Sequence, residues 1–238
     1  MNYKPETKNH LVVILLGPPG SGKGTQANLL TDKLNLYCFE TSKVGEEKIN
    51  QAKPGDYITV GGKKYYFEKE KKRWQTGKLW SSPFISYLVK QKIKELAERK
   101  RGIVFQGSPR TVEEGKEIIP LLEKLYGKTN IKIFLLELSI DQSIWRNSHR
   151  RICELMRHPI LYNEETVKLT KCPLDGSKLI KRALDKPEII KKRFEVYEEQ
   201  TLPLLDYFEE KNFVVKKIKG EQSVADVFSD ILKLMEND

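Results

Sequence analysis

"LVVILLGPPGSGKGTQ", residues 11–26, is the stretch of the sequence that decides the fold. Its first six residues are aliphatic and partly β-branched, which is typical of a strand buried on both faces of a parallel sheet. Four glycines, two prolines and one lysine occupy residues 17–26, a composition that suits neither a packed strand nor a packed helix. Beyond them, Ala27, Leu30 and Leu34 recur at helical spacing. The stretch therefore predicts a strand, a glycine-rich loop and a helix.

A loop of this composition is typical of phosphate binding. Backbone N–H groups between a strand and a helix converge on one point, and the helix N-terminus adds roughly half a positive charge. Glycine lets the backbone approach phosphate oxygens, Lys23 can reach the terminal phosphates, and Thr25 can offer its hydroxyl to Mg²⁺. Ser or Thr usually follows the lysine directly, whereas Gly24 intervenes here. The loop predicts triphosphate binding but does not name a reaction.

The rest of the chain continues the alternation of strands and helices. Aliphatic runs predict strands, and periodic stretches that follow them predict helices, so we expect an α/β fold whose parallel sheet is covered on both faces. The runs are residues 102–105, 131–138 and 213–218, and the helical stretches are 111–126, 140–150 and 222–236.

Two segments interrupt this alternation. Residues 43–78 are polar and contain two strand-like runs on either side of Gly61-Gly62, which predicts a two-residue hairpin turn. Residues 151–186 are rich in Lys, Cys and Pro and show little helical periodicity. Both segments are interpreted as small flaps inserted into the α/β core.

The composition narrows the functional classes. The chain has 238 residues and a formal charge of +10, which suits a polyanionic partner, either a nucleotide or a nucleic acid. Interleaved aromatic and basic residues are not evident, so we expect no nucleic-acid partner. The apolar run at 11–16 is far shorter than the ~20 residues of a membrane span, and we expect no signal peptide. Three widely separated cysteines disfavour a disulfide framework and favour a cytoplasmic location.

The glycine-rich loop and four later stretches resemble the adenylate kinase family of nucleoside monophosphate kinases. The match runs over nearly the whole chain in the family's order and is weakest in residues 43–78. The later stretches are "GIVFQGSPRT" (102–111), "RNSHRRIC" (146–153), "CPLDGSKLIKR" (172–182) and "DKPEIIKKRFEVYEEQTLPLLDYF" (185–208).

This resemblance implies a reaction and an architecture. The reaction is reversible phosphoryl transfer from Mg²⁺-bound ATP to AMP, giving two ADP, and we expect a monomer. The implied architecture is a P-loop NTPase-type core with a five-stranded parallel sheet flanked by helices, an inserted flap that binds the nucleoside monophosphate, and a lid. The core takes residues 1–42, 79–150 and 187–238, the flap residues 43–78 and the lid residues 151–186.

The resemblance also assigns site residues. In phosphoryl transfer the transition state carries charge on peripheral oxygens, so cations and positioning supply most of the catalysis. The implied catalytic residues are Lys23, Arg110, Arg150, Arg182 and Arg193. The implied ATP-binding residues are Gly17, Gly20, Ser21, Gly22, Lys23, Gly24, Thr25, Arg146, Arg150 and Gln222. The implied AMP-binding residues are Thr41, Lys78, Leu79, Trp80, Gly107, Ser108, Pro109, Arg110, Glu114, Arg182 and Arg193.

The sequence departs from the family's pattern on the acceptor and metal sides. Glu46 stands at or near an arginine of the family, and Glu114 stands in place of a glutamine. Lys43 and Gln106 replace the two carboxylates that help to hold the waters of Mg²⁺, and Ser108 lies in the altered stretch "QGSPR". These departures leave two alternatives open: the same fold with a different acceptor, or a nucleotide-binding protein with weak or lost turnover.

The lid carries a partial zinc pattern. Zinc-bearing lids of the family hold four ligands as two close pairs, and here Cys153 and Met156 are followed by Cys172 and Asp175. A thioether is a poor Zn²⁺ ligand, but His158 lies two residues beyond Met156 and can take its place. Cys153, Cys172 and Asp175 are therefore candidate ligands. The alternative is a lid held by packing and hydrogen bonds alone.

Overall fold

The computed structural model describes residues 10–76, 78–182 and 185–236, and this part of the chain contains ten strands and nine α-helices. The strands are β1 (Val12–Leu16), β2 (Tyr37–Phe39), β3 (Tyr57–Val60), β4 (Lys63–Tyr66), β5 (Ile103–Gln106), β6 (Ile131–Glu137), β7 (Arg151–Cys153), β8 (Pro159–Ile160), β9 (Leu179–Ile180) and β10 (Val215–Lys219). The helices are α1 (Lys23–Leu34), α2 (Thr41–Gln51), α3 (Phe67–Gln75), α4 (Ser82–Glu98), α5 (Val112–Tyr126), α6 (Ile140–His149), α7 (Pro187–Val196), α8 (Leu204–Glu210) and α9 (Val224–Glu236).

Five of these strands form one parallel sheet in the order β10-β6-β1-β5-β2. The expected α/β fold with a five-stranded parallel sheet is thereby confirmed. Because all five strands run the same way, their carboxyl ends meet at one edge of the sheet. The glycine-rich loop follows β1 in the middle of that edge.

Side chains of β1 alternate between two apolar layers, which is why the whole run 11–16 is hydrophobic. Val12, Ile14 and Leu16 face one cluster, which includes residues of α4, α5 and α8. Val13 and Leu15 face the other, which includes residues of α1 and α9. The sheet is therefore covered on both faces, as the sequence predicted.

The segment 43–78 contains the expected hairpin and a helix that the sequence pattern did not reveal. Strands β3 and β4 pair antiparallel and are joined at Gly61-Gly62, which confirms the hairpin. Helix α3 then packs beside α4, with the rings of Phe67 and Phe84 edge to face at 5.5 Å between centroids. Its sequence, "FEKEKKRWQ", carries too few apolar residues to show helical periodicity.

The segment 151–186 contains a small antiparallel sheet in the order β8-β7-β9. Cys153, Ile160 and Cys172 form a buried cluster beside it. In the whole described part of the chain, no helix has the length and apolar character needed to cross a membrane.

Candidate active site

The glycine-rich loop turns sharply at the carboxyl end of β1. Gly17 has φ 143°, and a Cβ atom there would lie 2.5 Å from the carbonyl oxygen of Leu136. Gly22 has φ 93° and precedes the first residue of α1, Lys23. Both positions need glycine because an L side chain is strained at these φ values. The loop can therefore lie directly against β6 and still start a helix at Lys23.

The ammonium group of Lys23 lies inside the curve of this loop. Nζ donates to the carbonyl oxygens of Gly17 at 2.6 Å and Pro18 at 2.8 Å. The pKa of Lys23 is lowered to about 7, chiefly by burial and then by the charges of Arg110, Arg193 and Arg150. A group held so close to losing its proton is stabilised by any anion that enters the loop.

A cleft of about 570 Å³ opens above the loop and is bounded by the segments 151–182 and 74–79. Arginines dominate its charge, because six of the ten arginines in the chain line it. They are Arg110, Arg146, Arg150, Arg157, Arg182 and Arg193. The structure thus brings together all five arginines assigned from the resemblance and adds Arg157.

These arginines repel one another in the cleft. The pKa of Arg193 falls to about 10, through burial first and then through the charges of Arg110 and Arg182. Nη1 of Arg193 is buried and makes no hydrogen bond to the described residues. The pKa values of Arg110 and Arg182 are lowered as well, chiefly by burial. A polyanion would relieve both the repulsion and the unpaired donor, so the cleft is suited to phosphates.

Two of the arginines are held by specific partners. The backbone of Arg110 is held by two hydrogen bonds: its N–H donates to Glu114 at 2.8 Å, and its carbonyl accepts from the Thr201 hydroxyl at 2.8 Å. Its side chain is held by one, since Nε donates to Gly107 O at 2.7 Å. Arg150 is bound on two of its nitrogens by the carboxylate of Asp185. Such contacts fix a guanidinium in one orientation and so favour a defined geometry for a bound phosphate.

Helix α3 positions the short segment that follows it at the rim of the cleft. The buried carboxylate of Glu70 accepts from the backbone N–H of Ser81 at 2.9 Å and from its hydroxyl at 2.5 Å. Nε of Arg73 donates to Leu79 O. The rings of Trp74 and Trp80 stack with their centroids 5.6 Å apart. These contacts place Lys78 and Leu79 in the lining of the cleft.

Most of the predicted site residues line the cleft, and four do not. The ATP-side residues that line it are Gly17, Gly20, Ser21, Gly22, Lys23, Gly24, Thr25, Arg146, Arg150 and Gln222. The acceptor-side residues that line it are Lys78, Leu79, Gly107, Pro109, Arg110, Arg182 and Arg193. Thr41, Trp80, Ser108 and Glu114 are buried behind this surface.

Glu114 is engaged with the protein rather than facing the cleft. Its carboxylate accepts from Arg110 N and, at 3.4 Å, from the hydroxyl of Ser108. Burial raises the pKa of Glu114 to about 7, against the opposing effect of the Arg110 N–H. The expectation that Glu114 binds the acceptor nucleotide therefore has no direct geometric support, because Oε2 already binds residues of its own loop and the side chain is buried.

Several lining residues were not identified from the sequence. Trp145 is 46% exposed and lies with its ring 5.8 Å from that of Tyr162, next to Arg146. Trp74 and Glu40 also line the cleft. An exposed tryptophan beside a site arginine is a signal that could have identified Trp145. Nothing local distinguishes Arg157, Tyr162 or Glu40 from ordinary surface residues.

Four side chains of the segment 151–186 converge in a way that suits a metal ion. The ligand atoms of Cys153, His158, Cys172 and Asp175 all lie within 4.8 Å of one another. Met156, the fourth member of the sequence pattern, is 63% exposed and not part of this group, and His158 takes its place. His158 Nδ1 lies 3.5 Å from each cysteine sulfur and 3.3 Å from Asp175 Oδ2.

A strand, a glycine-rich loop and a helix that together form a cation-lined cleft define a P-loop nucleotide-binding protein. A family model described as adenylate kinase matches residues 15–213, and the chain therefore belongs to the adenylate kinase family.

Curated relatives that match 94% of the chain agree with this membership. "Adenylate kinase" of Listeria monocytogenes serotype 4b is 32% identical over 225 residues, which cover 94% of this chain and 98% of that protein. "Adenylate kinase" of Caldicellulosiruptor bescii is 30% identical over 226 residues, with the same coverage. "Adenylate kinase 2" of Schistosoma mansoni is 32% identical over 231 residues, which cover 94% of this chain and 88% of that protein.

Proposed function

We propose that the protein is an enzyme that transfers a phosphoryl group reversibly from Mg²⁺-bound ATP to AMP, giving two ADP. The observation that carries this proposal is the convergence of Lys23 and six arginines over one glycine-rich loop. Family membership supports the same reaction, because the relatives are named adenylate kinases.

The donor nucleotide is assigned to the loop side of the cleft. The backbone of residues 17–25 and the ammonium of Lys23 bind the ATP phosphates, since a helix N-terminus and a buried cation both favour negative charge. Arg146, Gln222 and the exposed ring of Trp145 line the neighbouring part of the cleft. A flat ring beside an arginine suits a purine base, so we place the adenine there.

The acceptor is assigned to the side formed by Lys78, Leu79 and the 107–110 loop. Arg110 binds the acceptor phosphate; Gly107 O orients its guanidinium through Nε, and Glu114 and Thr201 hold its backbone. Arg150, Arg182 and Arg193 line the same cleft, and we assign to them the stabilisation of the charge on the transferring phosphoryl group. No covalent intermediate is needed, because positioning and charge supply the catalysis.

Mg²⁺ fits the oxygen atoms at the loop side of the cleft. The hydroxyl of Thr25 and the amide oxygen of Gln106 line the same surface, and oxygen atoms are the ligands that Mg²⁺ prefers. When bound, the ion neutralises phosphate charge during transfer. Thr25 would hold it, since this residue lies in the first turn of α1 beside the phosphate-binding loop.

Steady-state assays with ATP and AMP, GMP, CMP or UMP test the proposal. We expect turnover with AMP, and a decrease of at least about 10²-fold in Lys23→Met. The matched control is Lys94→Met, an exposed lysine on α4 outside the cleft. Turnover with another monophosphate alone would favour the alternative of a changed acceptor, and turnover with none contradicts the proposal.

We also propose that Cys153, His158, Cys172 and Asp175 bind one structural Zn²⁺. In a tetrahedral site with bonds of about 2.0–2.3 Å the ligand atoms are about 3.3–3.8 Å apart. The observed separations of 3.3 and 3.5 Å around His158 fit this range. Two sulfurs, one imidazole and one carboxylate are also ligands that zinc accepts.

Metal analysis of the purified protein tests the zinc proposal. We expect one Zn²⁺ per chain, its loss in Cys172→Ser and a lower melting temperature of that variant, with Met156→Ala as the control that keeps the metal. A wild-type protein that contains no zinc and binds none on titration contradicts the proposal.

A further inference from the structure

Glu40 occupies an exceptional position in the cleft. Among the described residues that line it, Glu40 is the only one with a carboxylate, whereas six arginines and two lysines line the same surface. A carboxylate among so many cations opposes the binding of phosphate. We therefore expect Glu40 to interact with a cation that binds together with the nucleotide.

The strand register places Glu40 beside the loop side of the cleft. Phe39, the last residue of β2, pairs with Phe105 of β5, so Glu40 and Gln106 are the next residues at the same carboxyl edge. Gln106 in turn pairs with Leu15 of β1, two residues before the glycine-rich loop. Glu40 therefore follows the strand next to that of Gln106, at the same carboxyl edge of the sheet as the glycine-rich loop.

Gln106 connects this edge of the sheet to the start of α1. A Cβ atom at Gly24 would lie 2.8 Å from the side-chain oxygen of Gln106, so that oxygen points at the residue next to Thr25. The amide of Gln106 is held in this orientation by a contact of 3.3 Å from Nε2 to the sulfur of Cys38. Thr25, Gln106 and Glu40 thus present three oxygen-bearing side chains to one part of the cleft.

Lys43 contacts Glu40 from the outer side. Its Nζ lies 2.6 Å from Oε1 of Glu40, and the side chains are 57% and 25% exposed respectively. Lys43 does not line the cleft. It therefore partly neutralises the carboxylate from outside and competes with any cation that approaches from inside.

We propose that Glu40 accepts hydrogen bonds from the water molecules of ATP-bound Mg²⁺, next to Gln106, and that Lys43 weakens this contact by competing for the carboxylate. Glu40 is thus a positioning residue for the metal. Lys43 and Gln106 stand where the family has carboxylates that hold the waters of Mg²⁺, and Glu40 supplies a carboxylate at a different position. The inference rests on the proposed binding of Mg²⁺ and ATP. It predicts that substitutions of Glu40 and of Lys43 change the Mg²⁺ dependence of ATP binding in opposite directions.

Calorimetric titration tests the inference. The measured quantity is the dissociation constant of ATP in EDTA divided by its dissociation constant in excess Mg²⁺, a ratio that increases when Mg²⁺ strengthens ATP binding. In Glu40→Gln we expect this ratio to fall about tenfold, because hydrogen bonds to the carboxylate charge are lost. In Lys43→Met we expect the ratio to rise about threefold, because the competitor is removed. In the double variant the effect of Lys43→Met should vanish.

The control is Glu47→Gln, an exposed carboxylate on the same helix that does not line the cleft, whose ratio should match that of the wild type. An unchanged ratio in Glu40→Gln, with both constants shifted equally or not at all, overturns the inference. If Glu40→Gln does not fold, an unchanged ratio in Lys43→Met overturns it. A wild-type protein that binds no ATP contradicts the proposed function itself.

Discussion

Arg150 and Asp185 form a forked ion pair, in which Nη2 of Arg150 lies 2.8 Å from each carboxylate oxygen of Asp185. The side chain of Asp185 is 3% exposed and that of Arg150 22%. Arg150 directly follows α6, and Asp185 lies two residues before α7. The pair therefore links the residue before β7 to a residue just before α7 and fixes the direction of a cleft arginine.

Replacing Asp185 by Ala should impair both catalysis and stability. The arginine loses its only carboxylate partner identified in the described part of the chain, and breaking a buried ion pair typically costs about 3–5 kcal/mol. We expect kcat to fall more than the KM values rise, since Arg150 acts on the transferring group. Steady-state kinetics and urea denaturation measure the two effects, with the exposed Glu188→Gln as control. Equal kinetics in the two variants would contradict a positioning role for Asp185.

The low pKa of Lys23 predicts proton uptake on ATP binding. Burial and the neighbouring arginines hold the pKa at about 7 in the free protein, so at pH 8 most of the ammonium is deprotonated. Phosphates restore the proton because they favour the charged form. Calorimetry in buffers of different ionisation enthalpy should therefore detect uptake of nearly one proton at pH 8. Lys23→Arg, which stays charged, serves as the comparison, and equal uptake in both proteins would exclude Lys23 as the source.

Glu46 is expected to weaken acceptor binding. Burial raises the pKa of its carboxyl, whereas the charges of Arg157 and Arg182 lower it, which places the group near two arginines of the cleft. A carboxylate there competes with the acceptor phosphate for Arg182. Glu46→Gln should thus lower the KM for AMP by about three- to tenfold with little change in the KM for ATP. A higher KM for AMP would instead indicate that Glu46 binds the acceptor directly, and Glu47→Gln provides the control.

Glu114 makes the stability of the fold depend on pH. Its pKa is raised from 4.5 to about 7 by burial, so the folded protein binds more protons than the unfolded chain between these values. The free energy of unfolding should therefore decrease as the pH rises from 4.5 to 7, by at most about 3 kcal/mol from this group. In Glu114→Gln that contribution disappears. Urea denaturation at pH 5 and pH 8 measures the change, and an identical pH dependence in both proteins would contradict it.

The sheet and the loop were predictable because their signals are local, whereas the site arginines were assigned through the family resemblance. Five consecutive buried residues followed by a glycine-rich loop indicate a strand and a phosphate site wherever they occur, and β1 and Lys23 lie as expected. Strand β2 was not predicted, because its three residues, two partly buried and one buried at the sheet edge, are too few to show a periodicity. Helix α3 was missed for a related reason, since its apolar contacts are few and specific.

The sequence by itself determined the order of the elements, the phosphate-binding loop and the residue types that gather above it. Only the tertiary structure decided which of these residues face the cleft. Glu114 and Trp80 are turned away from it, whereas Arg157, Trp145 and Glu40 line it. The physical reason is that periodicity reports neighbours along one helix or strand, whereas the contact of Arg150 with Asp185, or of Gln106 with Cys38, depends on how distant elements pack.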